Sequence, residues 1–228
     1  MNVGYIINVL DHGFVRYIGH YGSDTTIVDA ARISYQGTSK GEEADKKLLA
    51  YLWKNKHTSP FEMIKLHLNI KLPIFVMRQY VRHRMQNLNE MSARYSQLPE
   101  EFYCPTVWRL QDTKNKQGST GALSADEADF ITRLNIDHSK HSYKIYEEML
   151  KRGVAREMAR MVLPVNIYTE IQCVWDMKNL LHFIALRDDS HAQAEIQEYG
   201  RAIKTIATEL FPWTMEAYAK YKFQLVEV

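Results

Sequence analysis

Cysteine is scarce in this chain: Cys104 and Cys173 are the only two, far apart and outside any CxxC pair. That points to free thiols in a reducing cytosol rather than to a disulfide. No apolar run approaches the ~18–20 residues of a membrane span. The opening MNVGYIINVLDHG carries neither a basic leader segment nor a small-residue cleavage site. A cytoplasmic protein without a membrane partner is therefore expected. Net charge is also nearly absent, +2 over 228 residues, so the surface as a whole is no polyelectrolyte and any anion must be bound locally. Glycine-rich signatures are missing as well: there is no GxGxxG and no P-loop run, which excludes the two commonest phosphate-cradling turns. Repeats and low-complexity linkers are lacking, so residues 1–228 are expected to form a single domain.

What is present is patterned. Residues 3–18 alternate loosely around Asp11-His12-Gly13, predicting a hairpin of two short strands. Asp24 is expected as the N-cap of a helix through IVDAARISY, and residues 41–56 read as an amphipathic helix. Ile64, Leu66, Leu68, Ile70 and Leu72 alternate with polar residues, the cleanest strand signal in the chain. Pro73 suits the first turn of a helix running through IFVMRQYVRHR. Residues 97–123 look irregular, with KNKQGSTG as a mobile loop. Ser124 and Glu127 make a capping box for a long helix ending near Gly153. A short helix (VAREMARMVL), a second strand (VNIYTEIQCVW) and a helix from Asp176 to Arg187 follow. Ser190 to Gln193 predicts another capping box, and Pro212 starts a last helix. The sum is an α+β class: a single mixed α/β domain with an antiparallel-type sheet flanked by helices.

The chemistry concentrates in Arg82–Ser96, RHRMQNLNEMSARYS. It joins three arginines, a histidine, a glutamate and several neutral hydrogen-bonding side chains to the strongly apolar PIFVMRQYV. Cations at a helix C-terminus suit the dipole, which alone accounts for Arg82-His83-Arg84. It does not account for the polar residues that follow at once. Arginine forks match phosphate, and Asn, Gln and Ser read a base or ring edge. The residues by themselves favour a nucleotide or phosphorylated-ligand site over a solvated charged loop.

The pattern Arg82-His83-Arg84, Asn89-Glu90, Ser92-x-Arg94 resembles the signature of the flavin-dependent thymidylate synthases. One position departs: Asn87 stands where that family usually has a serine. The likeness extends to His57-Thr-Ser-Pro-Phe-Glu62, to Pro73-Ile-Phe-Val-x-Arg-Gln79, to Ala159-Arg160-x-Val-Leu-Pro164 and to Leu186-Arg187-x-Asp-Ser-His-Ala-Gln193. The resemblance implies conversion of dUMP to dTMP, with methylenetetrahydrofolate as one-carbon donor and NADPH as reductant through bound FAD. It also implies a homotetramer with shared active sites. Matched position by position, FAD falls to Ser59 (from another subunit), Arg82, His83, Arg84, Met85 and Glu90. Where the family often has Asn-x-Arg and then Asn for FAD, this chain has Asp176, Lys178 and His182. dUMP falls to Gln79, Arg82, Glu90, Met91, Ser92, Ala93, Arg94, Arg160 and Arg187. Arg187 is the expected activating group. A guanidinium against the uracil carbonyl and N3 would stabilise charge developing in the ring.

Other residues compete for attention. Ser92 has no apparent His–Asp partner, so substrate binding is expected of it rather than nucleophilic attack. Cys104, in EFYCPTVW, does not resemble the active-site motif of the folate-only thymidylate synthases and is not expected to be required. His138 and His141 stand at i, i+3 but lack a carboxylate to complete a metal site, and no metal is expected. Two further functions stay open at this point. One is a nucleic-acid module, against which stand the near-neutral charge and the glutamate in the patch. The other is a non-catalytic nucleotide sensor. No nucleic-acid partner is expected.

Overall fold

In the computed structural model, which describes residues 1–34, 36–116 and 118–221, the chain opens with an antiparallel hairpin, β1 (Ile6–Val9) and β2 (Gly13–Tyr21). Gly13 is needed there: a Cβ would come within 2.6 Å of the Val9 carbonyl oxygen and 2.8 Å of that of Lys71. Helices α1 (Asp24–Ile33) and α2 (Glu42–Lys54) follow, then a 3-10 turn over Ser59–Met63. Next come β3 (Lys65–Pro73), α3 (Ile74–Tyr80) and β4 (Asn87–Glu90). A small separate hairpin joins β5 (Leu110–Gln111) to β6 (Ser119–Thr120). The remainder is α4 (Ala125–Lys151), α5 (Arg156–Ala159), β7 (Tyr168–Asp176), α6 (Met177–Arg187), α7 (Ala194–Leu210) and α8 (Pro212–Lys220).

The main sheet runs β1-β2-β3-β7-β4, antiparallel throughout. Its centre is the β3–β7 pair, in register from Lys65 opposite Asp176 to Pro73 opposite Tyr168. That register sets Leu66, Leu68 and Ile70 across from Trp175, Cys173 and Ile171 on one buried face. Each such side chain contributes roughly 1.5–3 kcal/mol by leaving water. Helices α3, α6 and α7 belong to the same core, through Val76, Tyr80, Phe183, Ile184, Tyr199 and Ile203. On the opposite face His67 meets Gln172 at 2.9 Å, and the Asn69 amide donates to Glu170 at 2.9 Å. The period-2 alternation in the sequence is this one-sided burial. Among the described residues no helix is long and apolar enough to cross a membrane.

Several expectations are corrected. Ser23, not Asp24, is the N-cap of α1. The buried Asp24 carboxylate instead caps α8, accepting the Trp213 N–H at 2.9 Å, the Thr214 N–H at 3.1 Å and the Thr214 hydroxyl at 2.6 Å. Tyr35, in the stretch expected to be helical, lies outside the described residues, and α1 ends at Ile33. Helix α3 stops at Tyr80 rather than running through Arg84, because Leu88 pairs beside Cys173 and residues 81–86 are needed to turn the chain. β4 itself escaped the sequence reading: only Leu88 in it is apolar, and an edge strand needs no alternation. Of KNKQGSTG, Gln117 lies outside the described residues. Around it the chain closes as a hairpin, pinned by the Gln111 amide on the carbonyls of Lys116 and Gly118, both at 3.1 Å. The Ser190–Gln193 capping box does not form. α7 starts at Ala194, with Gln193 at its N-cap position and the Gln193 side chain turned towards Gln79 and Glu195.

Candidate active site

β4 lies on the edge of the sheet, with Asn87 opposite Val174 and Glu90 opposite Ile171. Arg82–Met85 therefore stand beside the Trp175 end of β7 and the helix it feeds. Met91–Arg94 leave from the other end. At ~3.4 Å per residue the strand spaces the two groups by roughly 10 Å.

The first group lines a basin of about 240 Å³, formed by Arg82, His83, Arg84, Met85, Trp175, Asn179, His182, Leu186 and Arg187. Its floor is aromatic. The His83 ring lies 4.9 Å from that of Phe183, 5.9 Å from His182 and 6.3 Å from Trp175, each edge-on. Beneath, the Trp175 indole donates to the Tyr80 hydroxyl at 2.8 Å, which meets the Cys173 sulfur at 3.1 Å. Arg187, in the last turn of α6, donates its Nε–H to His83 Nε2 at 3.0 Å. An arginine Nε has only a proton to offer, so His83 Nε2 is the acceptor and its ring proton sits on Nδ1. Burial, with the Arg187 and His182 charges nearby, pushes the His83 pKa down to about 4. The imidazole is thus neutral at physiological pH. Burial also lowers the Arg187 pKa, and the same burial together with Arg187 lowers that of His182.

Arg82, Arg84 and Met85 are exposed, Met85 to 68%. Two open guanidinium groups beside an aromatic, partly apolar floor suit a diphosphate joined to a ring system. Gln86 Oε1, just beyond, is buried with no partner among the described residues, while its Nε2 donates to the His83 carbonyl at 2.8 Å. The volume is below the ~300–1,000 Å³ that encloses a whole drug-sized ligand. One copy of the chain offers a fitting seat for part of a dinucleotide.

The second group is a polar cluster. Glu90 accepts the hydroxyl of buried Thr169 at 2.8 Å. Ser92 Oγ accepts the Arg94 N–H at 3.3 Å, and among the described residues no histidine is bonded to it. Arg94 pairs with Glu157 at 3.2 Å, and Arg160 Nε donates to the Glu157 carbonyl at 3.4 Å. Glu157 thus draws the two arginines to one place. Met91 donates its N–H to the Glu170 carbonyl at 2.8 Å. Ala93 is buried with Leu98 and Ile167, so its backbone alone can face a ligand. Gln79, from α3, donates to Gln193 Oε1.

The remaining candidates stand apart. Ser59 is exposed at the start of the 3-10 turn. In the same turn, Glu62 accepts from Lys178 at 2.6 Å, so that lysine is already paired. Asp176 caps α6, accepting from the Asn179 N–H at 2.9 Å and from its side-chain amide at 3.0 and 2.8 Å. The basin wall is Asn179, which the sequence reading passed over along with Trp175 and Leu186. Helical spacing held the signal: Asn179, His182 and Leu186 follow the i, i+3, i+7 stripe of one face. The Cys104 thiol is raised by burial and by Asp11, the reverse of activation. His138 and His141 are exposed, and among the described residues no cluster of His, Cys, Asp or Glu could hold a metal.

Residues 16–213 match the family model described as thymidylate synthase complementing protein. The chain is 47% identical over 215 residues to a flavin-dependent thymidylate synthase of Thermus thermophilus, covering 94% of this chain and 78% of that one. It is 45% identical to the enzyme of that name from Ehrlichia ruminantium, over 93% and 72% of the two chains. Among solved structures it is similar to the UMP/dUMP methylase PolB from Streptomyces cacaoi, bound with 5-Br dUMP. The TM-score is 0.85 at 29% identity, covering 94% of this chain and 98% of that one.

Proposed function

The chain belongs to the flavin-dependent thymidylate synthases, and from that membership we infer that it is an FAD-dependent methyltransferase converting dUMP to dTMP. The observation that carries the residue-level reading is the Arg187–His83 hydrogen bond. It holds one guanidinium in the lining of the basin. Methylenetetrahydrofolate is the proposed one-carbon donor and NADPH the proposed reductant. Bound FAD supplies the redox chemistry that links NADPH to the methyl group of the product.

The protein's own residues bind and orient. Arg82 and Arg84 are proposed to clamp the FAD diphosphate, with His83, Met85 and His182 against the ring side and Glu90 accepting from ribose or ring. Arg94 and Arg160 take the dUMP phosphate, which competes with Glu157 for them. Gln79, Ser92 and the backbone of Met91 and Ala93 complete that subsite. Arg187 sits against the uracil, where its fixed positive charge stabilises negative charge gathering on the ring carbonyls. Lys178, paired with Glu62, keeps two further N–H donors for FAD, and Asp176, bonded to Asn179, would face FAD through a remaining lone pair. Because one chain seats part of a dinucleotide, a homotetramer with shared sites is proposed, Ser59 coming from a neighbouring copy. Free Cys104 and Cys173 support a cytoplasmic setting.

Purified protein tests the reading directly. A flavin spectrum bleached by NADPH, and NADPH-dependent dTMP formation from dUMP and methylenetetrahydrofolate, are expected. UMP run in parallel separates ribose from deoxyribose substrates. Flavin and dUMP binding without turnover would make the protein a sensor, and a colourless protein binding RNA would remove the enzyme reading altogether. Arg187→Ala should keep FAD and lose turnover by at least ~100-fold, the scale for deleting one preorganised charge-stabilising donor. Unchanged dTMP formation would take Arg187 out of the mechanism.

A further inference from the structure

Outside both groups lies a buried carboxylate with an organised set of donors. Glu195, in the first turn of α7, is 4% exposed. Arg109 donates to its two oxygens at 2.7 and 2.9 Å, and the Tyr103 hydroxyl donates to Oε1 at 3.2 Å. Gln193 Nε2 donates to Oε2 at 2.7 Å. Burial acts to raise the Glu195 pKa, but the hydrogen bonds from Arg109, its own backbone N–H and Gln193 leave it lowered. The group is an anion, and an anionic carboxylate only accepts.

That one fact fixes a chain of amide orientations. Gln193 must turn its NH₂ to Glu195, so its oxygen faces away, towards Gln79. Gln79 must then turn its own NH₂ to Gln193, which is the bond observed. The Gln79 carbonyl oxygen and the second amide N–H remain, and the oxygen, with no donor on it among the described residues, is held pointing away from Gln193. An isolated glutamine amide can flip and offer either end. Here the flip is blocked from two residues away.

We propose that Glu195 is a positioning residue which, through Gln193, holds Gln79 with its carbonyl oxygen towards the substrate, so that position 79 selects a hydrogen-bond donor on the nucleotide. The inference rests on the nucleotide-site reading given above for Gln79. The donor is an N–H or O–H group of the nucleotide, either the uracil N3–H or the 3′-hydroxyl.

Binding of dUMP, N3-methyl-dUMP and 2′,3′-dideoxy-UMP to the FAD-loaded protein, measured by calorimetry, separates the sources. Wild type should bind one analogue about three- to tenfold more weakly than dUMP, the worth of one neutral hydrogen bond. The weakened analogue identifies the donor. In Glu195→Gln, Arg109 and Tyr103 retain the carbonyl oxygen and the new NH₂ faces Gln193. The relay reverses, and position 79 presents NH₂ to the ligand. The analogue's penalty should then disappear, with dUMP itself weakened. Adding Gln79→Glu to that variant restores an acceptor on both sides of position 79, and the penalty should return. A merely structural role for Glu195 predicts neither the loss nor the return. Gln193→Met cuts the relay without touching the Glu195–Arg109 pair; Gln79 is then free to flip and must be ordered on binding, so dUMP should bind about two- to tenfold more weakly with the analogue's penalty retained, a test that stands even if Glu195→Gln fails to fold. Equal binding of all three nucleotides by wild type would overturn the inference, as would a dUMP affinity in Gln193→Met equal to that of wild type. Failure of wild type to bind dUMP at all would instead overturn the nucleotide reading beneath it.

Discussion

His83→Phe tests how Arg187 is held. The substitution keeps an aromatic ring against Phe183 and Trp175 but removes the nitrogen that accepts from Arg187 Nε at 3.0 Å. A hydrogen bond with one charged partner is worth about 1.5–3 kcal/mol when buried. Arg187 is only half-buried, so the lower end applies, and a freed guanidinium also regains rotamer entropy that must be lost again on binding. A loss of about 1.4–2 kcal/mol of transition-state stabilisation corresponds to roughly ten- to thirtyfold in kcat/KM. The assay is dTMP formation at increasing FAD. If His83 positions Arg187, the deficit persists at saturating FAD, and His83→Gln, which offers an amide oxygen, recovers part of it. If His83 only helps to hold the flavin, saturating FAD erases the deficit and the positioning argument fails.

The pH behaviour follows from the same contact. The free imidazole takes up its proton near 6.5, whereas in the folded protein His83 resists until about 4. The unfolded chain therefore binds more protons between those values, and stability from this group, fully present above 6.5, is lost as pH falls from 6.5 to 4. His83→Phe should flatten the stability profile in that window. Conversely, no inflection near 6.5 in kcat/KM should be traceable to His83, because its acceptor lone pair is already free there.

Three further perturbations probe the scaffold. Gly200 in α7 packs on the end of α6, where an added Cβ would come within 3.1 Å of the Arg187 carbonyl carbon and 3.3 Å of the Asp188 nitrogen. Gly200→Ala should cost about 1–3 kcal/mol by overpacking and lower kcat more than FAD affinity; unchanged turnover would show that the helix end shifts without moving the guanidinium. Glu157→Gln frees Arg94 from an exposed ion pair worth at most ~1 kcal/mol, so dUMP should bind up to about fivefold more tightly; weaker binding would mean that Glu157 holds the arginines in place rather than competing for them. Asp24→Ala removes the cap of α8 and should cost about 1–2 kcal/mol in thermal or urea unfolding, with the flavin spectrum intact; a neutral result would refute the capping assignment.

The parts legible in the sequence are those with short-range causes. The β3 and β7 alternations gave both central strands, because each has one buried face and the period of 2 survives in the residues themselves. The Ser124–Glu127 box gave the start of α4 for a similarly local reason: the Ser124 side chain and the Glu127 N–H are bonded to each other. Failures came where a local signal was spent on a distant partner. Asp24 looks like an N-cap and is one, but for α8, nearly the whole chain away. Gln193 looks like the end of a capping box, yet its amide is committed to Gln79 and Glu195. At the candidate site Asp176 and Lys178, matched to cofactor positions by resemblance, also carry protein partners, Asn179 and Glu62.

This rule also says which motif residues to trust. Arg82, Arg84 and Met85 are exposed, and among the described residues none of their side chains has a hydrogen-bond or ion-pair partner that would have to be displaced. His83 and Gln79 are both committed inward, to Arg187 and Gln193. A conventional reading ranks the motif arginines first because they carry charge. The hydrogen-bond geometry divides the labour differently. On the proposed function, the exposed arginines would supply affinity for phosphate, which is tolerant of position, while the inward pair would supply orientation, which is not. Substituting Arg82 or Arg84 should therefore act mainly on FAD affinity and be relieved by excess FAD. Substitutions at His83, Gln193 or Glu195 should persist under saturation, because no concentration of ligand restores the direction of a side chain.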